Sequence, residues 1–346
     1  MDFSVLTKKN IRSLKPYKAE ELPCAVKLDA NESPYCINSK LSPEILEKLN
    51  RYPDPDANLL KTAIAKDLGI NKENILLGNG SDELIYYLII TFGGPVLAPV
   101  PTFSMYAIIS QALGEKFIGI PLDKEFDIDT DKMIAAIKKY KPKLIFLSSP
   151  NNPTGNCFSA DRILKIIEAS RNIVIVDEAY QPFASEQGFL PFLNDYANLA
   201  IMRTLSKIGL AALRTGFMIA DRLLIDEVNK VRLPFNLNSI SQAIALDAFK
   251  QKKAIICAVK SISTERDRLT KVLAEMKGVT PYPSEANFIL FAVENADLIY
   301  KKLLKSGVLV RNLSGVVKNS LRVTVGTPDE NNMFIKSLER ALRRNI

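Results

Sequence analysis

The sequence predicts an α/β protein in which a mostly parallel central sheet is flanked by helices and is joined to a smaller α+β domain. Strand-like and helix-like segments alternate between residues 75 and 202, which is the pattern of repeated β-α-β units. The pattern changes after residue 237, where long helices lead into short strands. At 346 residues the chain is also longer than a typical single domain, and its length favours about two domains.

The composition indicates a globular protein without a membrane span. Hydrophobic residues make up 47% of the chain and charged residues 24%, which are ordinary values. No apolar run reaches the roughly 18–20 residues that a membrane span needs, and the N-terminus lacks a signal-peptide core. The net charge of +8 is spread over patches that also contain acids, so we expect small anionic ligands and no nucleic-acid groove.

Two residue types limit the possible chemistry. The four cysteines, at positions 24, 36, 157 and 257, form no C-x-x-C pair, which favours free thiols in a reducing, cytoplasmic compartment and no metal site. The sequence contains no histidine, which excludes Ser-His and Cys-His nucleophiles and histidine-ligated metals. Acid–base chemistry must therefore use Lys, Tyr, Asp, Glu or a cofactor.

In chain order, the sequence predicts an N-terminal arm (1–30), a large domain (31–237) and a small domain (238–346). The arm has weak periodicity and several charges. The large domain opens with Pro-containing loops at 29–35 and 51–55, and Asp56 is expected to cap a helix that ends before Gly69. In the small domain we expect helices at 239–250, 252–276, 297–305 and 329–343, with strands at 286–291, 308–311 and 321–325.

A glycine loop, Gly78-Asn-Gly-Ser-Asp-Glu83, follows a short strand and opens a helix predicted over 81–92. Exposed N–H groups at Ser81 and Asp82 favour an anion. The loop is neither a Walker loop nor G-x-G-x-x-G, and a simple tight connection is the alternative. Further along, the sequence predicts strands at 95–98, 116–120, 144–147, 173–177 and 199–202, and helices at 103–113, 129–140 and 159–170.

Three of these strands end in residues that carry chemistry. The strand at 144–147 is followed by a loop stiffened by two prolines, in which Asn152 could direct its amide at a ligand, although a plain turn is equally possible. The second ends in Asp177, with Tyr180 three residues later. A buried Asp can hold the proton of a pyridine nitrogen; a Walker-B acid is the alternative, but no P-loop accompanies it.

The third strand delivers Thr204, Ser206 and Lys207 to its end, and Arg214 follows seven residues after the lysine. Ligands of open α/β sheets bind outside the carboxyl ends of the strands. An amine that can form a Schiff base, surrounded by hydroxyl and guanidinium donors, suits an aldehyde that carries a phosphate. The alternative is that Lys207 is an ordinary surface lysine.

Taken together, these stretches resemble the fold-type-I aminotransferases that depend on pyridoxal phosphate (PLP), and specifically the histidinol-phosphate aminotransferase family. The resemblance runs nearly end to end. The stretches that carry it are Asp29-Ala-Asn-Glu-Ser-Pro-Tyr35, Arg51-Tyr-Pro-Asp-Pro55, Gly78-Asn-Gly-Ser-Asp-Glu83, Ser149-Pro-Asn-Asn-Pro-Thr-Gly155, Val176-Asp-Glu-Ala-Tyr180, Thr204-Leu-Ser-Lys207 and Leu321-Arg-Val-Thr-Val-Gly-Thr327.

The resemblance implies a role for each of these residues. Lys207 would bind the cofactor covalently and move a proton at the substrate carbon, and Asp177 would pair with the pyridine nitrogen. Asn152 and Tyr180 would hydrogen-bond the phenolic oxygen, and Tyr106 would stack on the ring. The residues that would hold the phosphate are Ser81, Asp82, Thr204, Ser206 and Arg214, with Tyr52 reaching in from the second subunit of a homodimer.

The resemblance also implies a substrate site. Arg322 would bind the carboxylate of glutamate and, in the other half-reaction, the phosphate of histidinol phosphate, assisted by Arg311, Tyr17 and the loop that contains Asn31. One guanidinium can serve both because carboxylate and phosphate accept the same fork of donors. The alternative for either arginine is a structural ion pair. Two positions, Lys18 and Ser33, depart from the residues that are common in the family.

The implied reaction is transamination between L-histidinol phosphate and 2-oxoglutarate, which gives imidazole-acetol phosphate and L-glutamate. A threonine-phosphate decarboxylase or an aromatic-amino-acid aminotransferase would share the PLP residues and differ at the substrate arginines and the arm. A PLP-binding regulator is a non-enzyme alternative, but it would need a nucleic-acid-binding domain that the sequence does not indicate.

Overall fold

The computed structural model describes residues 3–16, 22–39 and 41–343. The strands are β1 (Val26–Leu28), β2 (Ile75–Asn79), β3 (Val96–Val100), β4 (Phe117–Pro121), β5 (Leu144–Ser148), β6 (Ile173–Asp177), β7 (Leu199–Thr204), β8 (Thr215–Ala220), β9 (Val279–Pro281), β10 (Phe288–Val293), β11 (Val308–Asn312) and β12 (Ser320–Thr324). The helices are α1 (Lys9–Arg12), α2 (Pro43–Glu47), α3 (Asn58–Leu68), α4 (Ser81–Phe92), α5 (Met105–Leu113), α6 (Thr130–Tyr140), α7 (Ala160–Ala169), α8 (Arg222–Asn229), α9 (Ser239–Lys250), α10 (Lys252–Glu275), α11 (Ala296–Lys305) and α12 (Pro328–Leu342).

The larger of two sheets has seven strands in the order β2-β8-β7-β6-β5-β3-β4. Strand β8 runs antiparallel to both of its neighbours, whereas the pairs β3–β4, β3–β5, β5–β6 and β6–β7 are parallel. The expected mostly parallel sheet is therefore confirmed. Because parallel strands share one direction, the carboxyl ends of β5, β6 and β7 lie side by side at one edge.

The two faces of this sheet are covered by different helices. Successive side chains of a strand point to opposite faces. On β7, Ile201 packs into a cluster with α3, α6, α7 and α9, which defines the α3 face. Its neighbour Met202 packs with α4, α5 and α8, which defines the α4 face. This alternation decides which side chains at the strand ends enter the cleft.

The smaller sheet has five strands in the order β1-β11-β12-β10-β9. Its apolar side chains pack against α10, α11 and α12. Strand β1 lies near the start of the chain and pairs in parallel with β11, near its end. The predicted division of the chain at residues 30 and 237 stays a prediction.

Most predicted helices and strands occur within a few residues of their expected positions, but six elements were not anticipated. These are α1, α2, α8, β1, β8 and β9. The expected cap at Asp56 is also wrong: Asp54 accepts the N–H of Asn58 at 2.8 Å, and Ala57 has a left-handed φ of 47°. That backbone turn begins the helix one residue later than a cap at Asp56 would.

Two kinds of feature are absent from the described part of the chain. None of its helices is both long and apolar enough to cross a bilayer. The described residues also contain no cluster of three or more Cys, Asp or Glu side chains that could hold a metal ion.

Candidate active site

A cleft lies at the carboxyl ends of β5, β6 and β7 and has an inner and an outer part. The inner cavity has a volume of about 90 Å³ and the outer one about 580 Å³. Phe103, Asn152, Tyr180 and Lys207 line both. The inner cavity is completed by Ser81, Asp82, Ser148, Asp177, Ala179, Thr204, Ser206 and Arg214. The structure thus brings together nine of the eleven residues expected to contact the cofactor, from segments far apart in sequence.

Asp177 ends β6 at the floor of the inner cavity. It is only 3% exposed, and its side chain lies on the α4 face. Burial raises the pKa of this carboxyl to about 6, and hydrogen bonds from the Tyr106 hydroxyl and the Ala179 N–H act in the opposite direction. Burial disfavours the ionised carboxylate. A cationic partner in the cavity would offset this cost and so favour ionisation.

Tyr106 lies behind Asp177 rather than in the cleft. Its side chain is 0% exposed, its ring stacks on Phe146, and its hydroxyl donates to Asp177 Oδ2 at 2.6 Å. The expectation that Tyr106 stacks on a ligand ring is therefore corrected: the first turn of α5 points this residue into the core. Phe103, which the sequence analysis missed, lines the cleft instead. Its position directly after the end of β3 was the available signal.

One end of the inner cavity is built from hydrogen-bond donors. Helix α4 begins at Ser81 after Gly80, and no side chain caps its first N–H groups. Gly80 has a φ of 81°, and a Cβ there would lie 2.6 Å from Arg214 Nη2. Glycine thus lets the guanidinium reach the helix N-terminus, where both favour an anion.

Hydroxyl groups extend this donor cluster. Thr204 Oγ1 donates to Ser206 Oγ at 2.9 Å and accepts the Ser206 N–H. Arg214 donates to Ser206 Oγ at 3.5 Å and to Asp82 Oδ2 at 3.1 Å. The Asp82 carboxylate, placed among groups that bind anions, is the one negative side chain at this end of the inner cavity.

Lys207 lies between the two parts of the cleft. A short 3₁₀ turn, Ser206–Ile208, follows β7 and presents the lysine half-buried. Its Nζ lies 5.6 Å from the centre of the Tyr180 ring. The Tyr180 hydroxyl accepts a hydrogen bond of 2.9 Å from Asn31 Nδ2. Lysine, tyrosine and asparagine thus meet at the junction of the inner and outer cavities.

The outer cavity is bridged by Arg322 of the smaller sheet. One Nη donates to Asn152 Oδ1 at 2.5 Å, and the other donates to the backbone oxygen of Asp29 at 2.7 Å. The guanidinium also lies over the Phe288 ring, 5.1 Å from its centre. Arg311 pairs with Arg322 across β11 and β12 and lines the same cavity.

Asn31 is held in the outer cavity by residues in and directly before strands of the smaller sheet. Its N–H donates to Thr324 Oγ1 at 2.9 Å, and its backbone oxygen accepts from Asn287 Nδ2 at 3.0 Å. Its φ of 56° is left-handed, a conformation that asparagine adopts more readily than most residues.

Of the remaining predicted site residues, one lies outside the cleft of its own chain and one lies outside the described residues. Tyr52 is 81% exposed and stacks on Phe235, with 4.5 Å between ring centres, and it lines neither cavity of its own chain. Tyr17, like Lys18, lies outside the described residues.

Comparisons with known proteins identify the family. The family model described as "Aminotransferase class I and II" matches residues 23–338. The histidinol-phosphate aminotransferase 2 of Nitrosococcus oceani is 43% identical, over 97% of this chain and 96% of the relative. The histidinol-phosphate aminotransferase of Aquifex aeolicus is 41% identical, over 96% of this chain and 97% of the relative.

Solved structures show the same fold. The crystal structure of histidinol-phosphate aminotransferase from Sinorhizobium meliloti in complex with pyridoxal-5'-phosphate superposes with a TM-score of 0.86 at 23% identity, covering 97% of each chain. With the family model and the sequence relatives, the chain therefore belongs to the class I and II aminotransferases and, within them, to the histidinol-phosphate aminotransferase family.

Proposed function

We propose that this aminotransferase transfers the amino group of L-histidinol phosphate to 2-oxoglutarate, giving imidazole-acetol phosphate and L-glutamate, with PLP as its cofactor. The reaction belongs to histidine biosynthesis. The observation that carries the proposal is the arrangement of Lys207 between the Arg214 donor cluster of the inner cavity and Arg322 of the outer one. Relatives about 40% identical over nearly the whole chain bear the corresponding name.

The inner cavity fits PLP. Its phosphate matches the donor cluster formed by the uncapped start of α4, Thr204, Ser206 and Arg214. Hydrogen bonds to charged groups contribute about 1.5–3 kcal/mol each, so several of them anchor the cofactor without help from the covalent bond. The pyridine ring would lie against Phe103, and its nitrogen would face Asp177.

PLP, when bound, supplies an aldehyde that bonds to amines and a ring that draws electrons from the adjacent carbon. Asp177 would keep the ring nitrogen protonated, because the pair of opposite charges replaces the unfavourable burial of a lone carboxylate. Asn152 and Tyr180 would orient the ring through hydrogen bonds to its phenolic oxygen. Lys207 would bind the aldehyde carbon at rest.

Lys207 would also carry the proton. Its Nζ would act as the base near the substrate carbon that bears the amino group and, from the same place, would return a proton to the cofactor's C4′. No other lysine among the described residues lines the inner cavity, so we assign both roles to Lys207.

Arg322 would recognise both substrates. Its fork faces the outer cavity beside Arg311. A guanidinium can bind a carboxylate or a phosphate by donating the same pair of N–H groups to either. Asn152 and Asp29 fix its orientation before either substrate arrives. Asn31, next to Tyr180, completes the wall that faces the substrate.

We further propose a homodimer with shared active sites, located in the cytoplasm. Exposed Tyr52, Leu233 and Phe235 are apolar groups that a second copy would cover. Because Tyr52 lines neither cavity of its own chain, its proposed phosphate contact must be to the partner's site.

The threonine-phosphate decarboxylase alternative is not favoured. The solved L-threonine-O-3-phosphate decarboxylase from Porphyromonas gingivalis shares the fold, with a TM-score of 0.78 at 21% identity. That likeness does not extend to function, whereas the relatives of higher identity are aminotransferases.

The test is an absorption titration of the purified protein with PLP. We expect a visible band of the bound cofactor that is lost with histidinol phosphate and returns with 2-oxoglutarate. A response to phenylalanine alone would indicate an aromatic aminotransferase, and CO₂ release from threonine phosphate would indicate a decarboxylase. A protein that gives no visible band with PLP would contradict the proposed cofactor.

A further inference from the structure

A buried ion pair lies on the back of the catalytic strand ends. Arg203 donates from both Nε and Nη2 to Glu178 Oε2, each at 2.8 Å. Glu178 is 1% exposed. Removing one partner of such a buried pair strongly destabilises the fold, because the other charge is left buried and uncompensated.

The pair connects the two strands that carry the chemistry. Glu178 directly follows Asp177 at the end of β6, and Arg203 directly precedes Thr204 at the end of β7. Because successive side chains alternate, both members of the pair lie on the α3 face, opposite to Asp177 on the α4 face. The Glu178 N–H also donates to the Met202 oxygen at 2.8 Å.

A third segment is tied to the same carboxylate. Glu178 Oε1 accepts the Phe189 N–H at 2.5 Å. A Cβ on Gly188 would overlap that oxygen, so glycine at this position lets the loop approach the carboxylate closely. Both oxygens of Glu178 are therefore engaged, one by β7 and one by the 188–189 loop.

The pair also borders a cavity beside the lysine-bearing turn. Arg203 and Glu178 line a cavity of about 340 Å³ on the α3 face together with Leu205, which precedes the turn, and Ile208, which ends it. Leu205 is buried in the core cluster of this face and Ile208 packs against that cluster. Core packing and the hydrogen bonds of the pair therefore act on the same side of the turn.

We propose that Glu178 and Arg203 are positioning residues that hold the ends of β6 and β7 together from the face opposite to the cleft, and so set the placement of Lys207 relative to Asp177. The proposal rests on the proposed function, because Lys207 and Asp177 are catalytic only if PLP binds between them. Neither member of the pair lines the inner cavity.

The main test compares Arg203→Met with Arg162→Met. Both remove an arginine from an ion pair, but Arg162 pairs with Asp123 at 2.7 Å, away from the cleft. We expect kcat of Arg203→Met to fall by about 100-fold, with KM for histidinol phosphate changed by less than about threefold, since small misplacements of catalytic groups act on kcat. Arg162→Met should lower thermal stability while keeping kcat.

Two further variants are informative even if Arg203→Met does not fold. Glu178→Gln keeps an acceptor for Phe189 and loses the charge, and we expect about a tenfold loss of kcat. Arg203→Lys keeps the charge and should recover kcat to within about tenfold of wild type. Wild-type kcat in Glu178→Gln would overturn the proposal, as would an equal loss of kcat in Arg203→Met and Arg162→Met.

A measurement other than turnover separates positioning from stability. Circular dichroism of the visible PLP band reports how the ring is held by its surroundings, and we expect its sign or amplitude to change in Arg203→Met and not in Arg162→Met. An unchanged band with unchanged kcat in Arg203→Met overturns the positioning role alone. A wild-type protein that binds no PLP instead contradicts the proposed function.

Discussion

The inner and outer parts of the cleft are built in different ways. The inner part comes from the larger sheet and its helix α4, with Asp177 and Thr204 at the ends of two adjacent, hydrogen-bonded strands. The outer part is assembled across both sheets, because Arg322 of β12 donates to Asn152, which follows β5 of the larger sheet.

This difference separates chemistry from recognition. Asp177 and Thr204 are placed by the pairing of β6 with β7, and Lys207 is placed by the turn that follows β7. All three belong to the larger sheet and its connections, so the distances among them do not depend on how the two sheets are placed. The distance from Arg322 to Lys207 depends on the relation between the sheets. Variants of the inner part should therefore affect kcat and cofactor properties, and variants of the outer part should affect substrate discrimination.

The largest effect is expected for Lys207→Ala. Because no other lysine of the described ranges lines the inner cavity, loss of both the covalent and the proton-transfer role should lower kcat by about 10⁴-fold or more. Borohydride reduction of the PLP-loaded protein followed by peptide mass spectrometry should label residue 207 in the wild type. The exposed Lys301→Ala serves as the control and should keep both activity and label; retained aminotransfer in Lys207→Ala would refute the assignment.

Asp177 provides a pH-dependent test of the inner part. Its folded pKa of about 6 lies above the ordinary value of 3.8. The folded, cofactor-free protein therefore keeps a proton that the unfolded chain releases. The contribution of this difference to the free energy of unfolding is fully present below pH 3.8 and is lost as the pH rises towards 6. At about 1.4 kcal/mol per pKa unit, this loss is about 3 kcal/mol.

The measurement is the free energy of unfolding of cofactor-free wild type and Asp177→Asn between pH 4 and 7. The advantage of the wild type should shrink across this range by about 3 kcal/mol. Asp123→Asn is the control of opposite sign: although burial opposes it, the Arg162 hydrogen bond lowers the pKa of Asp123. The stability that Asp123 contributes is lost as the pH falls. A pH-independent difference for Asp177→Asn would contradict the buried, protonated carboxyl.

In the outer part, Arg322→Lys tests fixed geometry against charge alone. Lysine keeps the charge but cannot contact Asn152 and Asp29 while presenting a fork to the substrate. We expect kcat/KM for both substrates to fall by about 10–100-fold. Arg311→Lys is the matched neighbour on the paired strand and should have the smaller effect. Equal effects at both positions would indicate that only charge matters here.

The sequence predicted the inner part better than the outer part for a physical reason. Asp177 and Lys207 follow short, fully buried strands, and a parallel sheet brings such strand ends together. Strand β1 was missed because its three residues acquire their structure only by pairing with residues 308–310, far away in sequence. Recognition groups that depend on such distant pairing leave little local signal.

The aromatic residues after β3 show a signal that was present and overlooked. Tyr106, Ile109 and Ser110 share one face of α5 and are all buried. That i, i+3, i+4 spacing marks a core-facing stripe, so Tyr106 was more readily assigned to the core than to a ligand. Phe103 has the matching spacing, three residues before Tyr106, but the helix begins only at Met105, so the helical stripe does not extend to Phe103 and its ring lines the cleft.

The smallest effect is expected for Tyr52→Phe, which tests whether the inner part is completed by a second copy. Loss of one hydrogen bond to the cofactor's phosphate should weaken PLP affinity by about tenfold, or about 1.4 kcal/mol. The ring and its stacking on Phe235 are retained, so dimerisation should be unchanged. Tyr86→Phe, another partly exposed tyrosine, serves as the control.

Mixing Tyr52→Phe subunits with Lys207→Ala subunits sharpens the test. If Tyr52 acts across the interface, each mixed dimer has one site with both defects and one site with neither. The intact site then binds PLP with wild-type affinity. If Tyr52 serves its own chain, every PLP-competent site in the mixture keeps the weakened affinity.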